Sequence, residues 1–262
     1  MEPWKTALTK ADENHIWIRG QEISSLMSNS TFTEVVFLLH QGRVPSEDER
    51  RLLDAILIAV CDHGPGSPSA ASSRLVASAN RQAPEAAVAA GVLAIGDAHA
   101  GAGLACMKMI EAGLELAKRE SISIPEAACR TVEDAIRTKT RLPGLGHRVH
   151  SQDPRTTVLF GMARNSKLAG EGVEFLTAIE GIAREKIKPL PINIDGALAA
   201  ILHDLGFPSL FGKLVFIIGR VAGLSAHVME EYTRERPMRI RIPVTYDGIP
   251  PQPSNGGNGR GD

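Results

Sequence analysis

A chain of 262 residues can bury a substantial core, and length alone permits one large domain or two small ones. Hydrophobic residues make up 43% and charged residues 23%, which argues against a disordered chain, a collagen-like repeat and a membrane span. The formal net charge of −1 offers no general basic field, so neither nucleic acid nor an anionic membrane is expected as a partner.

Residues 1–20 carry Trp4, Asp12, Glu13 and His15 without an apolar run, so no signal peptide is read there. No later apolar run reaches membrane length, and the cytoplasm is the expected compartment. Cys61, Cys106 and Cys129 form an odd set with no CxxC spacing, which points to buried thiols in a reducing compartment and away from a structural zinc.

Apolar residues recur at spacings of three and four, strand-like alternation is scarce, and the chain reads as all-α. Thr31-x-x-Glu34, Ser46-x-x-Glu49 and Ser123-x-x-Glu126 each have the form of a capping box that satisfies free amides at a helix start. Segments 69–79 and 83–94 are rich in Ala and Ser. They suit a tight helix pair or a dimer seam, or they simply reflect the helix preference of Ala. Further helices are predicted over 103–118, 124–139, 154–169, 172–188, 195–205 and 208–233, joined by short Gly/Pro breaks. Beyond Tyr246 the Pro-, Gly- and Asn-rich residues predict a disordered tail over 250–262. Its final Arg260-Gly261-Asp262 is a short tripeptide that chance supplies easily.

Four polar residues fall in the breaks between helices, where a rigid scaffold usually positions its working side chains. His63 lies in Cys61-Asp62-His63-Gly64-Pro65, His99 in Gly96-Asp97-Ala98-His99-Ala100-Gly101, and His147 in Gly144-Leu145-Gly146-His147-Arg148; each has glycine close by. His99 precedes a predicted helix, whose dipole would disfavour protonation and leave a neutral imidazole able to hydrogen-bond a developing enolate oxygen. Asp195, in Asn193-Ile194-Asp195-Gly196, is either an acid/base or an ordinary N-cap.

Arg155, Arg220 and Arg236 are candidates for holding carboxylates, since a guanidinium offers a planar fork of donors. Arg220 interrupts the apolar run from Leu214 to Leu224, a costly place for a charge unless an anion or an acidic side chain meets it. His147, His150 and Asp153 could be taken for metal ligands, but no fourth ligand is evident and no metal is predicted. Cys61 beside His63 does not make a nucleophile pair, because sequence neighbours point apart.

Together these segments resemble the citrate synthase family, in the right order from about Ile16 to Pro237. Ile18-Arg19-Gly20 followed by Ser30-Thr31-Phe32-Thr33-Glu34-Val35-Val36 is similar to the family's "RG…STFEEV" stretch. The DHG segment, the histidine before a Gly-rich helix start, GLGHRV…DPR, NIDGAL and GRVAGLSAHV running to ERP follow. The resemblance implies a large helical domain over 1–101 and 206–262, with a small one over 102–205 closing on the substrate.

It also implies that His99 holds the thioester carbonyl, Asp195 is the acid/base at the acetyl carbon, and His147 acts at the carbonyl or hydroxyl of the four-carbon partner. His63, Arg155, Arg220 and Arg236 would bind carboxylates of oxaloacetate or citrate. Leu142, Gly144, Leu145, Gly146 and Arg148 would lie against coenzyme A, which enters as part of the substrate, with no tightly bound cofactor. The family is dimeric and shares its sites, so Arg236 would come from the partner of a homodimer. After Pro45 only one predicted helix, over 46–60, precedes the DHG segment, where full-length synthases carry several more. This resembles the compact citryl-CoA lyase module of ATP-citrate lyases, although that module's GG after the histidine is replaced here by Ala100-Gly101-Ala102-Gly103. A citryl-CoA lyase is therefore the leading expectation, ahead of a citrate or 2-methylcitrate synthase and of a catalytically silent CoA-binding subunit.

Overall fold

A computed structural model describes residues 2–146 and 153–249. His147, Arg148 and His150, and the predicted tail over 250–262, lie outside the described residues.

The chain opens with a small antiparallel sheet that the all-helical reading did not contain. β1 (Thr9–Ala11), β2 (Ile16–Ile18) and β3 (Gln21–Glu22) lie in that order, with Lys10 opposite Trp17 and Ile18 opposite Gln21. Strands of two or three residues are too short for an alternating pattern to register. Arg19 and Gly20 join β2 to β3 as a two-residue loop, both with positive φ (49° and 80°), the geometry that tight hairpins favour. The Arg19 guanidinium donates through Nε and Nη2 to the Leu39 carbonyl at 3.1 and 2.9 Å, near the C-terminal end of the helix over Phe32–Gln41.

Helices α1 (Ile23–Asn29), α2 (Phe32–Gln41) and α3 (Glu47–Cys61) come next. Full capping boxes start α2 at Thr31/Glu34 and α3 at Ser46/Glu49. Then come α4 (Pro68–Ala79) and α5 (Pro84–Leu93), each with proline in its first turn. These two Ala-rich helices form a tight pair: a β-carbon on Gly91 of α5 would overlap Ser73 Oγ and stand 2.8 Å from the Ser69 carbonyl oxygen.

The remainder comprises α6 (Ala102–Glu120), α7 (Ile124–Thr138), α8 (Pro154–Asn165), α9 (Glu171–Lys186), α10 (Ile194–Asp204) and α11 (Phe211–Arg234). At α7 the first half of the box forms, Ser123 accepting from the Glu126 amide, while the Glu126 carboxylate turns to Arg130 at 2.8 Å. Helix α8 ends four residues before the prediction. Lys167 turns left-handed (φ 59°), and the amides of Leu168 and Ala169 fold back onto the Ala163 carbonyl.

Helix α10 is the centre of the core. Ala197 to Leu202 are completely buried, packed by α6, α8, α9 and α11, which fits a helix apolar on every side. Helix α11 packs against α3, α4 and α5. It corrects the expectation that no apolar run reaches membrane length: it is long and apolar enough by composition, yet half of its apolar stretch is buried within the protein and Arg220 sits at its middle. The cysteines are all free, but only Cys106 is buried; Cys61 and Cys129 are half-buried, contrary to the expectation of three buried thiols.

Candidate active site

A cleft of about 580 Å³ gathers His63, His99, Arg155, Asp195 and Arg220 from five separate stretches of the chain. His63 lies in the turn after α3. Asp62, the C-cap of α3, holds this turn: its carboxylate accepts from the Gly64 amide at 3.1 Å and from His227 Nε2 at 3.0 Å. Burial pushes the Asp62 carboxyl up, and these bonds outweigh it to hold the group below the usual carboxylate range.

His99 is presented by the turn between α5 and α6, closed by reciprocal backbone hydrogen bonds between Gly96 and His99 at 2.9 and 3.1 Å. Its Nε2 lies 3.0 Å from Ser69 Oγ, and its ring meets the edge of Phe216 at 6.0 Å between centroids. The imidazole is held below its ordinary value by burial first, then by Arg220 and His63. Burial and the neighbouring Arg220 and His63 thus act in the same direction as the predicted effect of the helix dipole, towards a neutral imidazole.

Arg220 is 2% exposed. Its Nε donates to the Val60 carbonyl at 2.9 Å and its Nη1 to Ser69 Oγ at 3.3 Å, while the guanidinium lies over Phe216 at 4.7 Å. No carboxylate among the described residues pairs with it, so the salt bridge that sequence alone left open is absent there. Because Ser69 Oγ already accepts from Arg220, its own hydrogen is free to donate to His99 Nε2, which would place the imidazole hydrogen on Nδ1.

Asp195 occupies the second position of α10, and its N-cap reading is corrected: Asn193 caps the helix, accepting from the Gly196 amide at 3.2 Å. Freed from capping, Asp195 lines the cleft. Burial raises its carboxyl above the usual range; Arg155 and Arg220 offset part of the rise and Asp153 adds to it. Arg155 reaches the same cleft but is partly committed, its Nε and Nη2 binding the buried Asp153 at 3.0 and 2.8 Å and its Nη1 the Ala59 carbonyl at 3.2 Å. Arg236 is exposed beyond the end of α11 and does not line the cleft.

Leu142, Gly144, Leu145 and Gly146 line a second cavity of about 1030 Å³, which shares Ala98, Gly146 and Asn193 with the first. This turn is zipped to residues 191–193: Gly146 N donates to the Pro191 carbonyl at 2.7 Å, Asn193 N to Gly144 O at 3.0 Å, and Asn193 Nδ2 to Gly146 O at 2.8 Å. Lys108, Arg141 and Lys188 line the same cavity and give it a cationic side. His147 and Arg148 lie outside the described residues.

Sequence reasoning missed Ser69 and Phe216, and left Asp153 and Asn193 without roles. Asp before Pro-Arg is a readable helix start, and Asn193 is one of two residues that local rules allow to cap α10; Ser69 carried no such local mark.

Residues 45–241 match the C-terminal domain family of citrate synthase. Citrate synthase of Heyndrickxia coagulans is 27% identical over 90% of this chain and 61% of that protein, and citrate synthase 2 of Bacillus subtilis is 29% identical over 78% and 53%. The chain thus spans little more than half the length of these relatives. The structure of citryl-CoA lyase from Hydrogenobacter thermophilus superposes with a TM-score of 0.88 at 39% identity, over 96% of this chain and 97% of that one. ATP citrate lyase from Methanothrix soehngenii, in complex with citrate and coenzyme A, shares the fold at a TM-score of 0.81 and 21% identity, over 43% of its length. With three quarters of its residues inside the matched domain and its fold shared across these structures, this chain belongs to the citrate synthase family.

Proposed function

We propose that the chain is a citryl-CoA lyase, cleaving (3S)-citryl-CoA to acetyl-CoA and oxaloacetate. The observation that carries this reading is Arg220, a nearly inaccessible guanidinium at the cleft wall with no carboxylate partner among the described residues. A cation so desolvated suits an anionic ligand, and the carboxylates of citryl-CoA or oxaloacetate match its fork.

Two further features fit the chemistry. A carboxyl raised by burial retains its proton more readily, which suits Asp195 to protonate the acetyl carbon once the C–C bond breaks. A neutral His99 with its hydrogen on Nδ1 suits donation to the enolate oxygen of the departing acetyl-CoA. The resemblance gives the remaining step, removal of the citryl hydroxyl proton, to His147. Coenzyme A would lie along the cavity lined by Leu142 to Gly146, its phosphates facing Lys108, Arg141 and Lys188, with Arg148 in the same loop. Residues 102–205 would close as a small domain over the substrate and exclude water. Arg236, exposed in one protomer, would reach the site of its partner in a homodimer.

The likeness to the Hydrogenobacter lyase runs nearly end to end over both chains, which supports cleavage as the main activity. Citrate or 2-methylcitrate synthesis is the second reading, supported by the names of the curated relatives. The test is to supply (3S)-citryl-CoA, and separately acetyl-CoA with oxaloacetate, following oxaloacetate through malate dehydrogenase and free CoA with a thiol reagent. Rapid oxaloacetate formation from citryl-CoA, with little CoA released from the condensation mixture, is expected of the lyase. Copious free CoA and citrate would make it a synthase. Turnover no greater than that of Asp195→Ala would sink both in favour of a silent subunit.

A further inference from the structure

In α11 the residues Arg220, Gly223 and His227 recur at i, i+3 and i+7, so they lie along one face. Arg220 reaches the cleft. Gly223 brings the helix backbone against the end of α3: a β-carbon there would overlap the Cys61 carbonyl and stand 3.2 Å from Asp62 Cβ. His227 makes the third contact, its Nε2 3.0 Å from Asp62 Oδ1. The other Asp62 oxygen accepts from the amide of Gly64, which stands at φ 86° on the far side of His63.

We infer that His227 is a positioning residue for His63, fixing the Asp62 carboxylate that in turn holds the His63 turn to the cleft; this rests on the proposed role of His63 in binding a substrate carboxylate. His63 is exposed; besides the Asp62 carboxylate, its turn is held within its own segment by the Ser67 amide, which donates to the Gly64 carbonyl at 3.3 Å, and by Pro65. The polarity of the chain of contacts is fixed from its far end. Arg74 of α4 approaches His227 Nδ1 at 3.3 Å, and a guanidinium can only donate, so Nδ1 accepts and Nε2 carries the hydrogen that goes to Asp62. Arg74 cannot easily swing away, since Glu230 and the fully buried Glu231 each bind it at 2.9 Å.

A glutamine at 227 could reproduce both polarities, accepting from Arg74 and donating to Asp62. A glutamate could accept but would set a second carboxylate against Asp62. The experiment uses the full chain as wild type, His227→Ala, His227→Gln, His227→Glu, His63→Ala and the double variant His63→Ala/His227→Ala, with folding checked by circular dichroism. Citryl-CoA cleavage is expected to show a KM raised about tenfold in His227→Ala with kcat much less affected, the loss of one hydrogen bond to a charged group. The glutamine variant should recover most of the loss and the glutamate variant none, and the double variant should be no worse than His63→Ala. Additive losses, or an unchanged KM in His227→Ala, would overturn the inference.

A second readout does not depend on turnover. In protein carrying ¹⁵N-labelled histidine, the His63 ring signals, assigned by their loss in His63→Ala, should shift or broaden in His227→Ala and return in His227→Gln. Unmoved His63 signals overturn the inference whatever the kinetics. If the wild type turns over neither citryl-CoA nor acetyl-CoA with oxaloacetate while the His63 signals still respond, the functional reading fails and the positioning contact stands.

Discussion

Gly144 and Gly196 lie back to back: a β-carbon on Gly144 would stand 2.7 Å from the Gly196 Cα, and one on Gly196 would overlap the Gly144 carbonyl. This contact seats the turn beside the larger cavity directly on the first turn of α10, one residue from Asp195. Gly196→Ala must therefore separate the two backbones, and overpacking of this kind costs about 1–3 kcal/mol. The expected outcome is a fall in urea midpoint of that size with a disproportionate loss of kcat, because the displaced backbone carries Asp195. A variant as stable and active as the wild type would show that the turn can move aside freely.

Ser69 Oγ joins His99 to Arg220, with distances of 3.0 and 3.3 Å. Ser69→Ala keeps the volume of the fully buried site nearly constant while removing the partner of the imidazole and one acceptor of the guanidinium. Hydrogen bonds to charged groups contribute about 1.5–3 kcal/mol, so a ten- to hundredfold loss in kcat/KM is expected. Steady-state kinetics beside a thermal melt separates this from unfolding: the melting temperature should fall by several degrees, while the variant stays folded at the assay temperature.

Most helices were legible because their signals are local. Ser46 with Glu49, Pro68, Pro84 and Pro154 each mark a first turn within four residues of sequence, and the helices begin there. Arg220 was legible too, as a charge in an apolar run. Ser69 was not, because its partners lie 30 and 151 residues away and nothing in an Ala/Ser stretch distinguishes one hydroxyl from its neighbours. Asp195 shows the intermediate case. Local rules permit either Asn193 or Asp195 to cap α10, and only the backbone of Asn193, extended at φ −94° and ψ −179°, decides it.

The raised Asp195 carboxyl makes a stability prediction whose sign can be worked out. With the folded-state value above the unfolded one, its contribution to stability is fully present below the ordinary carboxylate range and is lost as pH rises through the folded value. Above the ordinary carboxylate range the cost of ionising this desolvated group therefore weakens the empty protein relative to low pH. Asp195→Asn should melt at a higher temperature than the wild type at pH 7, with the difference shrinking towards pH 4, while cleavage of citryl-CoA collapses. Equal melting temperatures across that range would mean that Asp195 is better solvated than its surroundings suggest.

Ala100 stands beside His99 at φ 67°, a left-handed conformation that costs a side-chain-bearing residue about 1–2 kcal/mol. Ser121 and Lys139 adopt similar angles as the C-caps of α6 and α7, where such turns are routine, whereas Ala100 does so in the wall of the cleft. Glycine relieves the clash but adds freedom to the unfolded chain, an opposing effect of roughly 0.5–1 kcal/mol. Ala100→Gly should therefore gain about 0.5–1 kcal/mol, raising the melting temperature by roughly 1–4 °C. The same freedom lets the turn leave the geometry that aims His99 at Ser69, so kcat should fall severalfold as stability rises. That opposition is the mark of strain held at a working site. Were kcat to stay constant or rise along with the melting temperature, the strain at Ala100 would have no part in presenting His99.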